Sequence, residues 1–183
     1  MSKNIKKEYK NYIKNKWFYG KIIHIQINFI RGDNMRKDDI LSLDNQVIFP
    51  LYLCSKEVIR RYSIYLDQID LTYTQYVVMS FFWEKKTSNV KELGKIMLLD
   101  SSTLTPLLKK LEAKGFITRE RNSEDERNLV LTLTKEGDRL RDKAEVIAKK
   151  MRSEFGLGYD EERDLVYALR VILDKLLEDR DNY

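Results

Sequence analysis

The sequence predicts a mostly α-helical protein with one small β-hairpin, and three observations carry that expectation. Only seven Gly and two Pro occur in 183 residues, too few for a turn-rich all-β chain. From Ser42 onward the apolar residues recur at helical spacing almost to the C-terminus. The period changes to two in one place, residues 116–134, where Leu129, Leu131 and Leu133 alternate with Asn128, Val130, Thr132 and Thr134. A hydrophobic content of 43% is enough for one packed core.

Each element follows from its own residues. In the first helix Ser42 is the expected N-cap, and Val47, Leu51, Cys54 and Val58 lie along one face at four-three-four spacing. Pro50 removes an internal bond there, so a kink is expected. "LTYTQYVVMSFFWEKK" (71–86) is hydrophobic almost all round and reads as a buried helix. "NVKELGKIML" (89–98) is short and amphipathic, with Val90, Leu93, Ile96 and Met97 expected inward. "LDSSTLTPLLKKLEAKG" (99–115) opens with Asp100, Ser101 and Ser102 and closes on Gly115, the residue types that start and stop helices. Pro106 is tolerable because it lies near that start. "FITRER" and the alternating leucine strand form the hairpin, joined by the polar turn Asn122–Asp125. Two helices close the chain, at about 135–155 and 160–179, the latter with a broad Leu/Val/Ile face.

Composition excludes several chemistries. One Cys rules out a disulfide framework and a multi-cysteine zinc site, and it fits a reducing cytoplasm. One His, His24, leaves no pair of metal-ligating imidazoles and no catalytic His in the body. Neither an enzyme nor a cofactor is expected. The apolar run of the N-terminal segment is broken by Lys21, His24, Gln26 and Asn28, which argues against a signal peptide or membrane span.

The formal charge of +5 belongs to the first 34 residues, which carry eight Lys/Arg and two Asp/Glu; the remainder nets −1. Ile, Lys, Asn, Tyr and Phe fill 24 of those 34 positions against 41 of the following 149. All five have codons beginning with two A/T bases. "RGD" before Met35 can be encoded by a purine run resembling a ribosome-binding site. Two readings stand side by side: a translated upstream sequence with Met35 as the natural start, or a basic tail whose "IHIQINFI" alternates like a strand. The domain order expected is a basic leader (1–34), a dimerisation helix (35–70), a DNA-binding region (71–134) and C-terminal dimerisation helices (135–183).

Helix, short helix, turn, helix and then a hairpin is the order of a winged helix-turn-helix. The residue types suit double-stranded DNA. Ser101, Ser102, Thr103 and Thr105 place hydroxyls at the start of the fourth helix, where they can meet base edges or phosphates in a major groove. Lys109 and Lys110 lie further along, and Arg121 and Arg127 flank the hairpin tip within reach of a neighbouring groove or backbone. Taken singly, hydroxyls at a helix start are ordinary capping and a charged tip is an ordinary solvated turn. Together, and with catalytic parts missing, they point to DNA.

The stretch "LDSSTLTPLLKKLEAKGFITRERNSEDERNLVLTLTKEG" also resembles the recognition helix and wing of MarR-type regulators, most specifically in Asp125-x-Arg127 followed by "LTLTKEG". With "NQVIFPLYLCSKEVIRRY" and "LTYTQYVVMSFFWE", the resemblance extends over roughly residues 40–178 and narrows to the organic-hydroperoxide-sensing, OhrR-like branch. It implies an intertwined homodimer with two wings straddling a pseudo-palindromic operator. The residue matching Arg127 would enter the minor groove, oriented by the one matching Asp125, and those matching Ser101, Ser102, Thr103 and Thr105 would lie in the major groove.

That branch carries its reactive cysteine in Asn-Gln-x-Cys-Phe. Here the stretch reads "NQVIF", so the matching position is Ile48. The tyrosines that hold the thiol from the opposite subunit match Tyr62 and Tyr73, and Tyr52 lies one turn from Ile48. Cys54 is six residues further on, about 9 Å of rise and roughly 240° of rotation. Its stripe is apolar, so it is expected to be buried and inert. The expectation is a cytoplasmic, homodimeric repressor without membrane association. Its effector would be an oxidant or, alternatively, a small apolar or phenolic ligand. The rival from another class is a helical dimerisation module that no longer binds DNA.

Overall fold

The structure, a computed structural model, describes residues 41, 43, 46–121 and 129–178. The leader, Ser42 and the hairpin tip with Asp125 and Arg127 lie outside the described residues. The chain divides into two compact units that meet in sequence between Glu57 and Val58.

In the first unit the described residues form the opening of helix α1 (Ile48–Leu66). Pro50 is its third residue. The amide a proline lacks would be unpaired in a first turn anyway, so at this position Pro50 removes no interior bond. The stripe expected to be buried is open. Cys54 is exposed, Val47 is 68% exposed and Leu51 is 39% exposed. Four-three-four spacing identifies an apolar face; it does not say what covers that face.

The second unit begins with the rest of α1, which turns through a short 3-10 segment, Asp67–Ile69, to Asp70 in the left-handed region (φ 52°). Helix α2 (Tyr73–Lys85) then starts on a capping box: the Thr72 hydroxyl accepts from the Gln75 backbone N–H at 3.3 Å, and the Gln75 side chain accepts from the Thr72 N–H at 3.0 Å. As its all-round apolar sequence requires, α2 runs through the core, with Val78, Met79, Phe82 and Trp83 buried. Lys86, at φ 64°, reverses the chain into strand β1 (Thr87–Asn89).

Helix α3 (Val90–Met97) is capped by Asn89 and buries Leu93. Ile96, expected inward, is 52% exposed, because only a narrow stripe of so short a helix faces the core. Helix α4 (Ser101–Ala113) follows, burying Leu104, Leu108 and Leu111 on the i, i+4, i+7 pattern. Gly115 adopts φ 73° just beyond its cap and turns the chain into β2 (Ile117–Arg121). Strand β3 (Leu129–Leu133) pairs antiparallel with β2, Ile117 facing Leu133 and Arg121 facing Leu129.

The hairpin is part of a three-stranded sheet of order β1-β3-β2, with Thr87 opposite Thr132. The third strand is absent from the sequence reading. Helix α5 (Lys135–Phe155) starts on Thr134, whose hydroxyl accepts from the Gly137 N–H at 3.0 Å and donates to the Gly115 carbonyl at 2.6 Å. Trp83 Nε1 donates to the Gly137 carbonyl at 2.8 Å, fastening α2 to α5 inside the core. Ala144, Ile147 and Met151 continue the buried face of α5.

Helix α6 (Tyr159–Glu178) differs in kind, since it buries no residue at all. Leu165, Leu169, Ile172, Leu173 and Leu176 are each between 38% and 59% exposed along 20 residues. No described helix is long and apolar enough to cross a membrane.

Candidate nucleic-acid interface

Helix α4 has two faces. Its leucines are buried, whereas Ser101, Ser102, Thr103, Thr105, Lys109 and Lys110 are all exposed. The start of this surface is ordered by Asp100. Its Oδ1 accepts from the Ser102 hydroxyl at 2.6 Å and from the Thr103 N–H at 2.8 Å. The Ser102 hydroxyl, followed by the Thr103 amide, holds the Asp100 carboxyl below the usual range. Thr105 Oγ1 donates to the Ser101 carbonyl at 2.6 Å. Two of the four expected DNA-facing hydroxyls therefore use their protons inside the helix start, and their lone pairs remain as acceptors. Capping and an accessible hydroxyl surface coexist in the same residues.

The hairpin places Arg121 exposed on the last described rung of β2. Asp125 and Arg127 lie outside the described residues. Arg119, two residues before Arg121 on the same face of the strand and not singled out in the sequence, is packed against α4 instead of being open. Its side chain is largely covered, and Nε lies 3.5 Å from Glu112 Oε2 on α4. Distance makes this an ion pair, but among the described residues neither Nε nor Nη1 meets an acceptor in hydrogen-bonding geometry. The contact is therefore Coulombic and loose, linking the base of the wing to α4.

The residues expected at an effector site divide between the two units. In the first, Ile48 and Tyr52 are exposed like Cys54, and Lys56 Nζ lies 5.2 Å from the centre of the Tyr52 ring. In the second, Tyr62 and Tyr73 meet edge to face with centroids 5.2 Å apart. Tyr76, which sequence reasoning missed, completes the cluster at 5.4 Å from Tyr62 and 6.2 Å from Tyr73, and leans on Trp83 at 6.1 Å. Its signal was present in "YTQY", three residues apart on one helix.

Burial, and then the neighbouring Tyr76 and Tyr73, push the Tyr62 phenol up to about 12, and burial raises Tyr73. Both shifts favour the neutral phenol in the folded state. The stability they contribute is thus fully present below pH 10 and is lost as pH rises from 10 towards 12. In an ultraviolet titration, Tyr62→Phe is expected to remove a phenolate step near pH 12. A titration unchanged by the substitution would contradict the burial. Among the described residues no group of three His, Cys, Asp or Glu converges on a cation site.

Comparison with known proteins places the chain among transcriptional regulators. The family model described as "Transcriptional regulator SarA/Rot" matches residues 60–144. The HTH-type transcriptional regulator SarZ of Staphylococcus haemolyticus is 44% identical over 137 residues, covering 75% of this chain and 92% of that protein. Among solved structures, AbfR of Staphylococcus epidermidis is similar with a TM-score of 0.67 and 35% identity, covering 78% of this chain and 98% of that one. Reduced AbfR bound to DNA gives a TM-score of 0.64 at 34% identity, covering 77% and 99%. A MarR variant from E. coli complexed with operator DNA, at a TM-score of 0.65, 24% identity and coverage of 74% and 99%, supports the winged-helix fold.

Proposed function

Because this chain belongs to the SarA/Rot family of transcriptional regulators, alongside the SarZ proteins, we propose that it acts as a homodimeric repressor reading a pseudo-palindromic operator. Its relatives are regulators rather than enzymes. The observation that carries the reading is the division of α4. A leucine spine fixes the helix to the core while Ser101, Ser102, Thr103, Thr105, Lys109 and Lys110 form its open face. In this reading that face enters a major groove, and Arg121 and Arg127 bring the wing to the adjacent backbone and minor groove, with Asp125 orienting Arg127.

The dimer rests on a second observation. A 20-residue helix that buries nothing, with an apolar face along its length, needs a covering surface, and a second copy of α6 supplies one of matching chemistry. The regions 35–70 and 135–183 are the dimerisation elements in this reading, and the cytoplasm is its location.

The deciding experiment is protection of a palindrome in the DNA upstream of the chain's own gene, with wild type and Arg127→Ala. Wild type is expected to protect it with a steep salt dependence from local Lys/Arg contacts. The variant should lose about 1–3 kcal/mol per wing contact while remaining dimeric. Unchanged affinity in the variant sinks the wing assignment, and absence of any protected site leaves the dimerisation module.

For the effector, Ile48 at the family's thiol position argues against the organic-hydroperoxide mechanism of the OhrR-like branch, and the tyrosine cluster suits an apolar or phenolic ligand. One observation favours a second reading. Cys54 is exposed, and AbfR is known in reduced, disulfide and overoxidized forms. Operator binding before and after organic hydroperoxide separates the two: a response abolished in Cys54→Ser makes Cys54 the sensor, and an absent response leaves the ligand.

A further inference from the structure

Lys114 sits at the C-terminal cap of α4, one residue past Ala113. Its ammonium is held by three protein oxygens at the surface of the second unit. Nζ donates to the Asp70 backbone carbonyl at 2.5 Å, lies 3.0 Å from Asp70 Oδ1 and 3.4 Å from Gln75 Oε1. An ammonium has three donors, and here it meets three oxygens. The receiving site is built for it. Asp70 holds a left-handed backbone at φ 52°, a conformation that non-glycine residues adopt seldom. Gln75 is a polar residue only 3% exposed, and the capping box already fixes its side chain through the Thr72 N–H.

We propose that Lys114 is a positioning residue for DNA reading: it fixes the far end of α4 to the Asp70 turn and the first turn of α2, and so sets how Ser101–Thr105 are presented. The inference rests on α4 being the reading helix. Burial of Leu104, Leu108 and Leu111 holds the helix against the core, but apolar contact is non-directional and tolerates some roll and slide. A charge-assisted contact to three acceptors has direction. Because that ammonium is engaged by three protein oxygens, it is not one of the phosphate contacts.

This distinction supplies the test. A lysine on phosphate weakens binding to all sequences alike and makes the salt slope shallower by about one when removed. A positioning lysine lowers preference for the operator and leaves non-specific binding alone. The full chain, as wild type, Lys114→Met and Lys114→Arg, is titrated with operator duplex and a scrambled duplex of the same length at several salt concentrations. Lys114→Met is expected to lose about tenfold in operator affinity, to stay within about twofold on scrambled DNA and to keep its salt slope. Lys114→Arg, which restores a cation with hydrogen-bond donors, should recover most of the loss.

If Lys114→Met does not fold, Asp70→Asn keeps the left-handed turn and the carbonyl while removing the charge, and should show a smaller loss with the same signature. Equal loss on both duplexes with a shallower slope makes Lys114 a phosphate contact and overturns the proposal. So does an unchanged operator affinity. A wild type without preference for the operator overturns the DNA-reading assignment and this inference with it.

Discussion

Replacing Phe82 by alanine is expected to lower the unfolding free energy by about 3–5 kcal/mol, measured by urea denaturation at fixed protein concentration. Phe82 is fully buried in the last turn of α2, with Phe81 edge-on at 5.4 Å, and α2 runs through the core of the second unit. Truncation leaves a cavity whose walls are helices and sheet tied by cross-links such as the Trp83–Gly137 hydrogen bond, so collapse around it is limited. Against a total of about 5–15 kcal/mol for an ordinary domain, that loss is a large share. A change below about 1 kcal/mol would mean that Phe82 is not enclosed.

The second large effect comes from adding one methyl group. A Cβ on Gly137 would lie 2.2 Å from the Phe116 carbonyl oxygen and 2.9 Å from Leu133 Cδ1. That oxygen is backbone, and it accepts from the Thr134 N–H at 3.1 Å, so it has no rotamer through which to withdraw. Gly137→Ala must instead push the start of α5 away, disturbing the Thr134 cap and the bond from Trp83. Overpacking of this kind costs about 1–3 kcal/mol and occasionally more, and the upper end is expected here. Gly158→Ala, whose nearest obstacle is the flexible Glu161 carboxylate at 3.5 Å, is the control and should stay within about 0.5 kcal/mol. Equal effects at the two glycines would contradict the packing of α5 on the hairpin.

The elements legible in the sequence are those whose signal is local. Helices α2 and α4–α6 and the β2–β3 hairpin stand where period and capping residues place them, because amphipathic spacing, Asp100 and Gly115 act within a few residues. What was not legible depends on distant partners. Strand β1 is three residues long, too short to alternate, and exists only because Thr87–Asn89 pair with β3 more than 40 residues later. The exposure of Cys54 and Ile96 was misjudged for a related reason, since period marks an apolar face and not its cover.

At the candidate site, the hydroxyl face of α4 followed from residue type. Lys114 did not, because its acceptors lie 44 and 39 residues away and nothing in "EAKG" marks its ammonium as engaged. Arg119 was hidden in the same way, as one more charge on a strand until its neighbour Glu112 is seen.

The placement of Lys114 has a mechanical corollary. Helix α4 has 13 residues and is roughly 20 Å long, with its fastening at one end and its hydroxyls at the other. It is a lever with an off-centre fulcrum. A tilt of about 5° at the Asp70 turn would sweep the Ser101 end through roughly 1.5 Å, about three times the 0.5 Å range of good N–H···O distances. The fulcrum bears on Gln75, which Tyr73 and Tyr76 bracket on the same turn of α2. With α4 as the reading helix proposed above, a small displacement at the Asp70 turn would be magnified along α4 into loss of register with a base edge.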